Sequence, residues 1–82
     1  MEHNRQYQSG RYRVVEQIER VKDGFCVSVM AYDDQMIKEL NGHPQSVSRF
    51  DARWVAATLE AARRDLAIAV DLMNRSIGGD VP

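Results

Sequence analysis

The side chains best suited to chemistry in this sequence are a single cysteine, two histidines and a few adjacent carboxylates. Cys26 alternates with apolar residues, and no histidine stands beside it to generate a thiolate. Free cysteine in such a setting is commonly a small buried side chain, so we expect Cys26 to be a packed thiol. Together with His3 and His43 it cannot supply a complete set of Cys and His ligands for zinc, and a lone cysteine excludes an internal disulfide.

Asp33 and Asp34 are adjacent carboxylates that could bind a divalent cation. They also stand where a helix is predicted to begin, and an N-cap with a neighbouring acidic residue explains both. No serine or cysteine has a histidine and an acid at a spacing that suggests a nucleophile, and no glycine-rich loop follows a strand. The sequence therefore predicts a protein that is not an enzyme, with no catalytic residue, no metal ligand and no cofactor.

The composition indicates one ordinary globular domain of 82 residues, 44% hydrophobic and 28% charged. Eleven Lys and Arg residues against twelve Asp and Glu residues leave a net charge of −1, which argues against a general nucleic-acid binder. The polar N-terminus does not resemble a secretory signal, and no apolar run is long enough to span a membrane. We expect a cytoplasmic protein.

The first half of the chain predicts a β-hairpin after a flexible tail at residues 1–10. Residues 25–32 are rich in β-branched and aromatic residues and predict a strand. Residues 11–22 fit either a second strand or a helix face. The hairpin is favoured because the strand at 25–32 would otherwise have unpaired backbone groups on both edges. A two-residue turn at Asp23-Gly24 would place Ile18 opposite Val29. One face then collects the best core side chains: Val14, Ile18, Phe25, Val27, Val29 and Ala31.

Two helices are predicted to follow, a short one at about residues 34–41 and a long one at about residues 49–77. Asp33 is a suitable N-cap for the first, and Asn41-Gly42 followed by Pro44 would end it. Ser48 and Asp51 match a capping box for the second. The fold class is α+β, with one domain at residues 11–79 and a C-terminal tail at residues 80–82.

The long helix is predicted to carry two apolar stripes. The main stripe, which should form the core, comprises Val55, Leu59, Ala62, Leu66, Ala69, Val70, Met73 and Ile77. The second stripe, with a nearby aromatic residue, gives a candidate interface: Phe50, Trp54, Ala61, Ile68 and Leu72. Its charged rim would comprise Arg49, Arg53, Arg63, Arg64 and Arg75. A helix of this length would overhang so small a domain, and a lone hairpin is marginal in water, so we expect a homodimer or a larger protein partner.

A hairpin with an Asp-Gly-aromatic turn followed by a helix resembles the HicB-type antitoxin domain over residues 11–75. The resemblance lies in Tyr12, in Asp23-Gly24-Phe25 and in the alternation of Val27 and Val29. A charged segment stands where that family has a Pro-Gly-Cys-type segment, so no functional residue is transferred.

These patterns predict a small non-catalytic binding or regulatory protein, of the inhibitor or adaptor type, that acts through protein–protein contacts. Chains of this kind are common in phage and other mobile elements, which would be a suitable origin. The alternative is a dimeric nucleic-acid-binding regulator or antitoxin-like protein, in which two copies would present Arg49, Arg53, Arg63 and Arg64 together.

Overall fold

The computed structural model describes residues 2–78, which form a four-stranded antiparallel sheet followed by one helix. The strands pair in chain order, so that β1 and β4 are the edges of the sheet. The elements are β1 (His3–Ser9), β2 (Tyr12–Val21), β3 (Gly24–Leu40), β4 (His43–Ala56) and α1 (Leu59–Gly78). This is an α+β fold, as predicted, with more sheet and less helix than the sequence patterns indicated.

The hairpin of β2 and β3 confirms that the ambiguous segment at residues 11–22 is a strand. Its register differs from the prediction by two residues, since Val21 pairs with Gly24 and Ile18 pairs with Val27. The turn therefore lies at Lys22-Asp23 rather than at Asp23-Gly24. A shift of two residues keeps every side chain on the same face, whereas a shift of one would exchange the faces. The predicted core face of this hairpin is consequently correct.

The segment predicted to be a flexible tail contains an edge strand. His3–Ser9 forms β1 and pairs with β2 along its whole length, from His3 opposite Ile18 to Ser9 opposite Tyr12. The turn between them places Gly10 at a φ of 60°, a conformation that glycine adopts at little cost. The predicted tail at residues 80–82 lies outside the described residues.

The short helix predicted at residues 34–41 is wrong, because this segment extends β3 into a protruding hairpin with the first part of β4. Asn41 and Gly42 have φ values of 53° and 79° between the paired residues Leu40 and His43. Two positive φ values in a two-residue loop are the pattern of a type I′ turn, which Asn-Gly favours. Asn41-Gly42 thus forms the turn of a hairpin instead of ending a helix.

The long helix predicted at residues 49–77 is also wrong in its first third. Residues 49–56 belong to β4, and α1 begins only at Leu59. Thr58 is the N-cap, because its Oγ1 accepts a hydrogen bond from the Ala61 N–H at 3.1 Å. At 20 residues α1 is about 30 Å long, which fits within the 36 Å extent of the protein. The overhang that suggested a dimer is absent.

One face of the sheet and one face of α1 enclose the core. The buried helix side chains are Ala62, Leu66, Ala69, Met73 and Ile77, and they pack on a sheet face that includes Ile18, Val27 and Val29. Of the predicted main stripe, Leu59 and Val70 are partly buried, but Val55 is 57% exposed because it lies on β4 and faces away from α1. No helix in residues 2–78 has the length and apolar character needed to cross a membrane.

Candidate functional site

An apolar groove lies between β4 and the outer side of α1. Its volume is about 270 Å³. Its lining consists of Phe50, Ala52 and Trp54 from the strand and Asp65, Ile68, Ala69 and Leu72 from the helix. Asp65 is the one ionisable residue in this lining. We call this feature the β4–α1 groove.

Strand and helix periodicity together build this groove. Phe50, Ala52 and Trp54 alternate along β4, so all three point to the helix-covered face. Ile68 and Leu72 are one turn apart on α1, on the flank directed toward β4. Ala52 has the smallest side chain of the strand residues here, and it leaves the floor of the groove open between two aromatic rings. The result is an apolar surface that one helix does not cover.

Four of the five residues predicted as an interface meet at this groove: Phe50, Trp54, Ile68 and Leu72. Ile68 is 55% exposed and Leu72 is 51% exposed, while the two aromatic residues are partly buried against the core. Ala61 packs against the core and is not part of the lining. The single helical stripe proposed for them is wrong, because Phe50 and Trp54 lie on a strand.

The five arginines predicted as a charged rim do not form one patch. Arg49 is the extra residue of a β-bulge and its Nη2 donates to the Ser76 carbonyl at 3.4 Å. Arg53 belongs to the sheet face away from α1. Arg63 is exposed on α1, Arg64 lies 3.7 Å from Asp65, and Arg75 pairs with Asp71 at 3.0 Å.

The face of the sheet away from α1 holds a polar pocket of about 220 Å³ around Cys26. The Cys26 thiol is 8% exposed and accepts a hydrogen bond from Arg53 Nε at 3.4 Å. This contact raises the pKa of the Arg53 guanidinium above its ordinary value. The rest of the lining consists of Gln17, Glu19, Ser28, Met30 and Asp51. The arrangement places the thiol, a guanidinium and two carboxylates around one pocket.

A buried carboxylate, which the sequence analysis did not single out, fastens β1 to β2. Glu16 is 4% exposed and accepts a hydrogen bond from the Tyr7 hydroxyl at 2.6 Å. His3 Nε2 lies 3.1 Å from its other oxygen. Burial, with help from the hydrogen bond and the negative charge of Glu16, raises the pKa of Tyr7 to about 12. The cross-strand pairing of residues 3–7 with 14–18 could have indicated this cluster, but only once β1 was recognised as a strand.

The two adjacent carboxylates have separate structural partners. Asp33 is buried, pairs with Arg11 Nη2 at 3.0 Å and accepts the Gln35 N–H at 3.0 Å. Asp34 accepts a hydrogen bond from Ser46 across the protruding hairpin. His43 is exposed at the start of β4. Within residues 2–78 no three His, Cys, Asp or Glu side chains gather in a way that could hold a metal ion.

Comparison with protein-family models, curated proteins and solved structures gives no match for this chain. The candidate site therefore stands on its geometry.

Proposed function

We propose that this protein is a non-catalytic binding module and that the β4–α1 groove is its protein-binding surface. The observation that carries the proposal is the exposure of two large aliphatic side chains, Ile68 and Leu72, beside the aromatic floor of Phe50 and Trp54. Aromatic residues are enriched in protein interfaces and often dominate their binding energy. Burying these side chains against a partner would remove apolar area from water, the main favourable term in association.

The surroundings of the groove support a protein ligand. Arg64, Asp71 and Arg75 are exposed on α1 around the apolar strip. An apolar centre with a charged margin is the usual anatomy of a protein–protein interface. The groove is also open and shallow, which suits a protein side-chain surface better than a small substrate that must be enclosed.

The experiment compares aspartate substitutions at neighbouring positions of α1. Ile68→Asp and Leu72→Asp place a charge in the groove, and we expect them to abolish self-association or partner binding while circular dichroism stays close to that of the wild type. Ala67→Asp is the matched control, because Ala67 is exposed and lies outside the groove lining. It should bind as the wild type does. Light scattering and the set of proteins retained by each immobilised variant are the readouts.

Leu66→Asp separates binding from folding. Leu66 is 7% exposed in the core, and burying an unpaired charge there costs several kcal/mol, so this variant should unfold. If Ile68→Asp unfolds the chain as thoroughly as Leu66→Asp, Ile68 is core and the proposal is wrong. If Ile68→Asp and Ala67→Asp both bind as the wild type does, the groove is not the working surface.

A further inference from the structure

The β4–α1 groove lies along an open edge of the sheet. Pairing in the order β1 to β4 leaves one side of β4 without a neighbouring strand in the part of the chain that the structure describes. From Phe50 to Ala56, β4 pairs with β3 without interruption, so this stretch is a regular strand. An open, regular edge beside an apolar groove offers backbone hydrogen bonds and apolar contact to the same ligand.

We propose that a second copy of this chain occupies the groove by pairing its β4 with β4, antiparallel and centred on Ala52. This inference rests on the proposed function of the groove and names its occupant. A twofold axis through Ala52 would join two four-stranded sheets into one continuous sheet. Such an isologous contact is the commonest form of homodimer.

The side chains of β4 are complementary to themselves in this register. On the face away from α1, Asp51 would face Arg53 of the second copy, and Arg53 would face Asp51 of the second copy. On the groove face, Phe50 would face Trp54 of the second copy, and the small Ala52 would meet its own copy at the axis. Opposite charges and aromatic pairs directly across an antiparallel ladder are both stabilising.

The neighbouring registers lack this complementarity. Sliding the second copy by two residues in one direction places Asp51 opposite Asp51. Sliding it by two in the other places Arg53 opposite Arg53. Like charges directly opposite each other are destabilising. Sliding further in the first direction brings the bulge at Arg49 into the ladder, where an extra residue interrupts the pairing.

The same geometry brings the two helices together. Strands in a sheet are about 4.8 Å apart, so β4 and β3 would lie about 2.4 and 7 Å from the axis. Because α1 packs on both strands, its axis would lie about 5 Å from the twofold, and the two helices would be about 10 Å apart, a normal packing distance. Antiparallel pairing keeps both helices on the same face of the joined sheet. Ile68 and Leu72 would then close over the aromatic residues from both sides.

Charge reversal tests the register. We expect the wild type to have about twice its monomer mass of 9.4 kDa by light scattering after size exclusion. Asp51→Arg and Arg53→Asp should each weaken the dimer by about tenfold or more, because the axis repeats each like-charge contact twice. An equimolar mixture of the two variants should restore the dimer, since each variant then faces the opposite charge. Folding defects cannot produce such restoration.

A disulfide at the axis gives a second test. In a Cys26→Ala background, Ala52→Cys should form a covalent dimer on mild oxidation, because directly opposite residues are about 4.5 to 5.5 Å apart between Cα atoms. Asp51→Cys is the control. It faces Arg53 of the second copy rather than itself, so it should cross-link poorly alone and readily when mixed with Arg53→Cys.

The outcomes separate this inference from the proposed function. A monomeric wild type at tens of micromolar overturns the second copy as occupant, while groove-dependent capture of another protein would leave the proposed function standing. A dimer that Ile68→Asp abolishes, but that shows neither the charge restoration nor the Ala52→Cys cross-link, overturns the β4 pairing alone. A dimer that tolerates both Ile68→Asp and Leu72→Asp does not use the groove, which overturns the second copy as its occupant; the proposed function is then overturned as well if no other protein is captured through the groove.

Discussion

Gly24 is a single residue on which the joining of three strands depends. It begins β3 with a φ of 150°, a conformation that residues with side chains rarely adopt, and a Cβ there would clash with the Ala56 carbonyl oxygen at the end of β4. Gly24→Ala should therefore lower the free energy of unfolding by about 1–3 kcal/mol through backbone strain, with a similar amount added by the displaced carbonyl. Urea denaturation of the variant measures the loss.

Substitutions at two other glycines distinguish backbone strain from the clash with the Ala56 carbonyl. Gly42 has a φ of 79° but open space around it, so Gly42→Ala should cost about 1–2 kcal/mol from strain alone. Gly78 has open space as well and a helical position, so Gly78→Ala should change stability little. Equal losses for Gly24→Ala and Gly42→Ala would show that the Ala56 contact is unimportant.

For single residues, the sequence predicted the kind of interaction that a side chain makes better than its place in the fold. Asp33 was expected to accept a backbone N–H at the start of a helix, and its carboxylate does accept the Gln35 N–H. The same bond with a residue two positions ahead serves equally at a strand irregularity. The burial of Cys26 was predicted correctly, but its contact with Arg53 was not, because 27 residues separate the two in the chain.

At the scale of elements, β1 is fastened to the sheet through the Tyr7 hydroxyl and the Glu16 carboxylate. The pKa of Tyr7 is raised from 10.0 to about 12 in the folded chain, so the folded state holds this proton more tightly than the unfolded state. The resulting stabilisation is complete below pH 10 and is lost as the pH rises toward 12. We expect the stability difference between the wild type and Tyr7→Phe to shrink over that interval in urea titrations.

The Glu16→Gln variant is the control for this mechanism. It removes the charge that opposes ionisation of Tyr7, so the pKa of Tyr7 should fall below that of the wild type. Alkaline absorbance of tyrosinate, taken as the difference from the same protein with Tyr7→Phe, follows the titration. Identical midpoints in both backgrounds would mean that Glu16 does not control Tyr7.

The boundary between β4 and α1 shows why local signals failed for this element. Ser48 and Asp51 match a capping box, but Phe50, Ala52 and Trp54 alternate with charged residues, which is the period of a strand. Only pairing with β3 decides between them, and that contact is not local in sequence. Thr58 is an equally suitable N-cap ten residues later. The sequence therefore contained the correct start of α1 but did not distinguish it from the one at Ser48.

The protruding hairpin of β3 and β4 has a similar cause. Met36, Ile37 and Leu40 give a good helical stripe, yet in the structure they are 53%, 58% and 46% exposed. Local sequence preference therefore does not decide the conformation of this segment. The segment is a strand because it continues the β3–β4 ladder up to the Asn41-Gly42 turn. Pairing in the sheet thus outweighs the helical pattern of apolar residues.

At the scale of the whole molecule, one helix of 20 residues covers one face of a four-stranded sheet. The predicted face of the first hairpin and the core positions of the helix follow from side-chain periodicity, which acts within an element. The sheet order and the groove follow from contacts between elements far apart in sequence. Four of the predicted interface residues therefore meet through contact between a strand and a helix, and not along one long helix as predicted.

The distribution of charge over the whole molecule leads to the last prediction, that neither DNA nor RNA binds at low or moderate salt. Affinity for a phosphate backbone comes from several cations on one face, each releasing counterions. Here the net charge is −1, and the candidate arginines are divided between the two faces of the sheet and the helix. Arg75 is paired with Asp71, and Arg64 lies near Asp65, which weakens both as phosphate ligands.

Dimerisation through β4 would not change this result, because it would place Arg53 opposite Asp51 of the second copy. Fluorescence polarisation with single- and double-stranded oligonucleotides should therefore show no saturable binding at low or moderate salt. Arg49→Glu combined with Arg63→Glu is the matched variant, and it should behave like the wild type. Micromolar or tighter binding by the wild type, with a steep salt dependence that this variant loses, would instead establish the nucleic-acid-binding alternative.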